Sequence, residues 1–183
     1  MNVIRCKIGL IGDTRVGKTS IVNQLVKNSF NGSYQTTLGI DYNQYEVKIK
    51  DTNYTVQFHI LDFSGFSIFR EMINNPIRDV NFILYVYDST NLESFQSIKL
   101  WKLALQEIDM NSNVVEYLVG NKNELPEKIV TDKGSVDNLA KKYNFKTWSV
   151  SARASNNLKE LFEEMANTYY DNYFKFVNKI KNL

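Results

Sequence analysis

The run GDTRVGKTS, Gly12 to Ser20, constrains this chain more than any other stretch. Before it, Ile4, Cys6, Ile8 and Leu10 alternate at the period of a strand; after it, Ile21, Val22, Leu25 and Val26 recur at helical spacing. A glycine-bearing turn is therefore expected between a strand and a helix. Gly12 and Gly17 let backbone N–H groups curl around an anion, and the helix N-terminus adds its partial positive charge.

Gly12 to Thr19 matches G-x-x-x-x-G-K-[ST] in the strand-turn-helix context that the motif requires. A chance match in a chain this long is on the order of one in a hundred. The chemistry assigns Lys18 to the β- and γ-phosphates of a nucleotide and the Thr19 hydroxyl to Mg²⁺. Asp13, Thr14, Arg15, Val16 and Ser20 complete the expected phosphate-binding segment. Arg15 stands where a positive φ would cost about 1 kcal/mol relative to glycine. Its side chain either reaches a phosphate or points into solvent.

The rest of the chain alternates strands with helices. Tyr45-Val47-Ile49 and Tyr54-Val56-Phe58-Ile60 flank the turn-forming KDTN and predict an antiparallel hairpin. Asn81 to Asp88 and VVEYLVG are apolar runs of buried-strand length, and a short strand is expected at Thr147 to Val150. Thr90 and Glu93 have capping-box spacing ahead of one helix carrying Phe95, Ile98, Leu105 and Ile108. Further helices are expected at Asp132 to Tyr143 and from about Asn156 to Ile180. This order implies an α/β fold with a mostly parallel sheet and helices on both faces.

With 183 residues, 43% hydrophobic and 23% charged, the chain is of a size for one globular domain, 1–183. A net charge of +2 gives no reason to expect a general nucleic-acid binder. Cys6 is the only cysteine, so no intrachain disulfide can form; a reducing compartment and a packed core thiol are expected. No apolar run reaches the ~18 residues that span a bilayer. The sequence ends KIKNL, which predicts no prenyl anchor there. Tyr169, Tyr170, Tyr173, Phe174 and Phe176 crowd the end of the last helix. Core packing accounts for some of them, and a partner or a further chain segment for the rest.

Read in order, further motifs resemble a small GTPase of the Ras superfamily, most closely the Rab branch, over about residues 3–167, with 168–183 as a helical extension. Ser29 to Tyr42 is similar to the Rab switch I, LDFSG at 61–65 contains the D-x-x-G of switch II, and YVYDSTNLESF at 85–95 resembles the stretch joining the fourth strand to the third helix. GNKNE at 120–124 is similar to the N-K-x-D guanine motif, and SAR at 151–153 to S-A-K. The resemblance implies a P-loop NTPase of the Ras-like G-domain type: a six-stranded sheet with one antiparallel edge strand and about five helices. It also implies GTP and GDP as ligands with Mg²⁺.

By the same resemblance Thr37 joins Thr19 on Mg²⁺, Asp62 holds the metal through water, and the Gly65 N–H meets the γ-phosphate. Lys18, Thr37 and Gly65 thus form the catalytic set. Phe30, Asn121, Lys122, Glu124, Ser151, Ala152 and Arg153 are the implied base-binding residues, the Ala152 N–H reading the guanine carbonyl oxygen. Effectors and an exchange factor are expected at Leu38–Tyr42 and Leu61–Ile77, with a cytoplasmic location and recruitment to endomembrane vesicles.

Several positions depart from the family pattern. Glu124 replaces an aspartate; a side chain longer by about one C–C bond must back away, at ~1–2 kcal/mol, so guanine preference is expected to survive weakened. Phe66 stands where a glutamine orients the attacking water, and it can neither donate nor accept the hydrogen bond. Hydrolysis is expected to slow by on the order of tenfold or more. The bland reading is that Phe66 only packs, near Phe69. Leu61 replaces a tryptophan, and Pro76 and Ile77 replace a tyrosine pair, all at effector-facing positions. His59 is expected to be a packed strand residue and not a catalyst. The leading reading is a nucleotide switch with slow hydrolysis; the alternative is a nucleotide-holding interaction module that no longer hydrolyses.

Overall fold

The structure, a computed structural model, describes residues 2–33, 35–66, 75–106, 108–110 and 113–181. Six strands form one sheet in the order β2-β3-β1-β4-β5-β6. They are β1 (Asn2–Ile11), β2 (Ile40–Lys48), β3 (Tyr54–Phe63), β4 (Phe82–Asp88), β5 (Val115–Asn121) and β6 (Lys146–Ser149). Only the edge strand β2 is antiparallel to its neighbour; β3, β1, β4, β5 and β6 run parallel. The helices are α1 (Lys18–Lys27), α2 (Leu92–Gln96), α3 (Ile98–Gln106), α4 (Lys133–Tyr143) and α5 (Leu158–Lys181). The expected fold class is what is found.

Alternation along the strands separates two cores. Ile4, Cys6, Ile8 and Leu10 of β1 and Phe82, Leu84 and Val86 of β4 pack with Ile21 and Val22 of α1 and Leu161, Phe162 and Met165 of α5. The intervening Ile83, Tyr85 and Tyr87 turn to the other face, against Ile98, Trp101 and Leu105 of α3 and Leu139 and Ala140 of α4. Every residue of β4 is consequently buried, which explains its unbroken apolar run. Cys6 is fully buried, and burial pushes its thiol well above the usual range. It is a packed residue, as its place in the alternation predicts.

The hairpin forms at KDTN, with Asp51 at φ 57° and the Thr52 hydroxyl donating to Ile49 O at 3.0 Å and accepting from Tyr54 N at 3.1 Å. The helix expected after Thr90 differs in two ways. The Thr90 hydroxyl is taken by Asp88 Oδ1 at 2.7 Å, so the cap moves to Asn91, whose side chain accepts from Glu93 N and Ser94 N. The single helix is also divided at Ser97 into α2 and α3, and Ile108 lies beyond the end of α3.

At α5 the aromatic residues divide. Tyr169 Oη donates to Arg5 O at 2.6 Å, and the Tyr54 ring lies 5.5 Å from Tyr170 and 5.0 Å from Phe174. These three close the end of the sheet where β1 and β3 begin, whereas Phe176 and Ile180 are exposed. Among the described residues no helix is long and apolar enough to cross a membrane.

Candidate nucleotide-binding site

Because five strands are parallel, the segments that follow them emerge at one end of the sheet, where ligands of open α/β sheets bind. Gly12 follows β1, Gly65 follows β3, and Asn121 closes β5 beside Asp88 of β4. With the loop after β6 they surround a cleft of about 680 Å³, a volume suited to a nucleotide-sized ligand.

Lys18 opens α1 and is almost fully buried, its ammonium donating to Gly12 O at 2.7 Å and Asp13 O at 2.8 Å. Desolvation lowers its pKa to about 8 against the opposing pull of Asp62 and Asp13, which leaves it charged at neutral pH. Gly17 has φ 96°, and a Cβ there would collide with Asn121 Nδ2. Gly65 lies so close to the Asp13–Thr14 peptide that a Cβ would sit 2.6 Å from Asp13 O. The loop after β3 is thereby seated directly on the phosphate loop. Arg15 does take the strained conformation, φ 63°, and its exposed side chain borders the cleft.

The three residues expected at a cation converge. Thr19 Oγ1 donates to Asp62 Oδ2 at 2.5 Å and lies 3.0 Å from Thr37 Oγ1, which joins residues 18 and 43 positions away. Asp62 is 1% exposed, and its other oxygen, Oδ1, is buried without a hydrogen-bond partner. Desolvation lifts this carboxyl to about 6, outweighing the Thr19 hydrogen bond and the Lys18 charge. A buried, half-satisfied carboxylate beside two hydroxyls fits Mg²⁺, which takes few protein ligands and completes its shell with phosphate and water. Among the described residues no group of three or more His, Cys, Asp or Glu offers an all-protein alternative.

At the far end of the cleft Asn121 spans two loops, donating from Nδ2 to Val16 O at 2.9 Å and accepting at Oδ1 from Ala152 N at 3.0 Å. The N–H expected to read a base thus rests on Asn121. Phe30, Lys122, Glu124, Ala152 and Arg153 line the cleft, and Glu124 Oε2 is buried with no hydrogen-bond partner. An acceptor oxygen held there suits the ring N–H and exocyclic amine of guanine. A model of the Ras family matches residues 7–171. The chain belongs to the Ras family.

In this Ras-family chain, a small GTPase of the nucleotide-switch type, some expected site residues shape the cleft without lining it. Val16 is in the core, Gly12 is packed against Val86, and Asp13 Oδ1 accepts from Trp101 Nε1 at 2.8 Å. Ser151 is fully buried, its hydroxyl accepting from Ala154 N at 2.8 Å. It holds its loop in shape and does not face the base. Thr14, Ser20 and Thr37 do line the cleft. Leu125 and Lys27 line it too, and no motif announced them; their only signal is adjacency to Glu124 and to the end of α1.

Phe66 follows Gly65 at the cleft wall and is 40% exposed. Its proposed neighbour Phe69 lies outside the described residues, as does the rest of 67–74. The partner surface needs one correction: Ile77 is fully buried and packs against Gly9, so it cannot meet an effector. Leu61 is half-buried, while Leu38 and Tyr42 are exposed. His59 sits mid-strand in β3, outside the cleft, bonded to Tyr42 Oη through Nδ1 and to Gln57 Oε1 through Nε2 at 3.1 Å. Desolvation with Arg5 and Lys7 nearby lowers its pKa.

Proposed function

We propose that this chain is a Rab-like guanine-nucleotide switch of vesicle trafficking that binds Mg²⁺ with GTP or GDP and hydrolyses GTP slowly. The observation that carries this reading is a pair of incomplete carboxylates at one cleft, Glu124 in its lining and Asp62 buried behind the lining residues Thr19 and Thr37. Asp62 Oδ1 beside Thr19 and Thr37 is suited to a cation, and Glu124 Oε2 to a guanine. Bound between them, the phosphates would lie against Lys18 and the N-terminus of α1.

In hydrolysis a water oxygen attacks the γ-phosphorus, the bond to the bridging oxygen breaks, and GDP and phosphate leave. Mg²⁺, held by Thr19 and Thr37 with Asp62 behind, would supply neutralising charge to the phosphates. Lys18 adds a fixed positive charge that needs no reorganisation, and the Gly65 N–H is close enough to the phosphate loop to follow the terminal phosphate. The Phe66 side chain has no hydrogen-bonding group at the wall where a water must be oriented, so that step is the slow one. The same observation favours the second reading, a nucleotide-holding module without turnover.

The exposed Leu38 and Tyr42 supply the apolar surface for an effector or exchange factor, the surface changing when the nucleotide does. Single-turnover hydrolysis of bound GTP separates the two readings. Release of phosphate within hours, about tenfold faster in Phe66→Gln, supports a slow GTPase. GTP retained intact over hours by the wild type supports the module. An unchanged rate in Phe66→Gln shows that the phenylalanine is not the brake.

A further inference from the structure

Lys122 lines the base end of the cleft with a flexible stem on a strained backbone, φ 68°. Left to itself such a side chain samples many rotamers, and a base would have to order it on binding. Here it is already ordered: its ammonium meets Asp88 Oδ2 at 2.5 Å. Asp88 is itself held on every side. Thr90 donates to Oδ1 through its N–H at 2.9 Å and its hydroxyl at 2.7 Å, and the Asp88 N–H donates to Ser94 Oγ at 3.0 Å. As the last residue of β4, Asp88 also pairs in register with Asn121, the residue before Lys122.

We propose that Asp88 is a positioning residue for nucleotide retention, its clamped carboxylate holding the Lys122 stem as a preformed wall of the base pocket. The inference rests on the reading of the cleft as a guanine-nucleotide site. The effect belongs to the base end, because Lys122 and Asp88 bond to each other, whereas Lys18, Thr19 and Asp62 bond among the phosphate loop and its neighbours. Neutralising the carboxylate frees the lysine and makes its ordering part of the binding cost. Dissociation of GDP and of GTP should accelerate alike.

The test measures dissociation of fluorescent GDP and GTP from wild type, Asp88→Asn, Lys122→Ala and the double variant. Asp88→Asn is expected to release both nucleotides about tenfold faster. In the Lys122→Ala background it should add nothing, and competition by inorganic triphosphate, which has no base, should be unchanged. Thr90→Val, which loosens the clamp while keeping the ion pair, should give a smaller acceleration that also vanishes without Lys122; it serves if Asp88→Asn does not fold. Rates within twofold of wild type, or equal acceleration with and without Lys122, overturn the inference. A wild type that retains no guanine nucleotide overturns the underlying reading and this inference with it, whereas retention by the wild type with unchanged variants overturns the inference alone.

Discussion

At the residue scale the site turns on charges placed where water is scarce. Asp62 has its carboxyl raised from 3.8 to about 6 by burial. A raised carboxyl favours the folded state while protonated in it, so the stability it contributes is present below about pH 4 and is lost as pH rises through about 6. In nucleotide- and metal-free protein, Asp62→Asn should therefore be more stable than wild type at pH 7, by on the order of 2–3 kcal/mol, with the gap closing by pH 4. Denaturant melts of the two proteins across that range check it; a gap that does not change with pH contradicts the assignment. Glu124→Asp should tighten GTP about tenfold by restoring the shorter acceptor, read by equilibrium titration. Of the residues that meet here, Lys18 and Thr19 belong to a motif whose spacing is itself the signal, whereas Thr37, Asp62, Asn121 and Glu124 stand out in the sequence only through the resemblance to the family's stretches. Trp101 holding Asp13, and Asp88 holding Lys122, were not legible: the partners are 88 and 34 positions apart and meet only through the sheet.

At the element scale local chemistry predicted the elements and tertiary competition adjusted them. The hairpin and the cap of α4 at Asp132 follow from turn and capping residues acting on their own neighbours. Thr90 lost its expected cap because Asp88 claimed its hydroxyl, and Ile77 left the expected partner surface for the core beneath Gly9. Spacing alone cannot report either competition. In α5 the two fates of its aromatics give a paired prediction. Phe174→Ala removes a ring packed on Tyr54, Tyr170 and Tyr173 and should cost about 2 kcal/mol. Phe176→Ala, exposed on the same helix, should stay within about 0.5 kcal/mol. Chemical denaturation midpoints compare them directly; equal losses would mean that Phe176 is covered in solution.

At the scale of the whole molecule a parallel sheet gathers loops from distant parts of the chain around one cleft, with the phosphate loop at its centre and the switch and base loops on either side. Binding there adds to the few hydrogen bonds that tie these loops to one another, such as Asn121 Nδ2 to Val16 O at 2.9 Å and Ala152 N to Asn121 Oδ1 at 3.0 Å. Ligand should thus stabilise the folded chain as a unit. A guanine nucleotide is the ligand proposed, and affinities for GTP, GDP and ATP, each with and without Mg²⁺, test that most directly. Both guanine nucleotides should bind at least about a hundredfold more tightly than ATP, even with the glutamate at position 124, and lose affinity when Mg²⁺ is chelated. Equal affinity for ATP would contradict it.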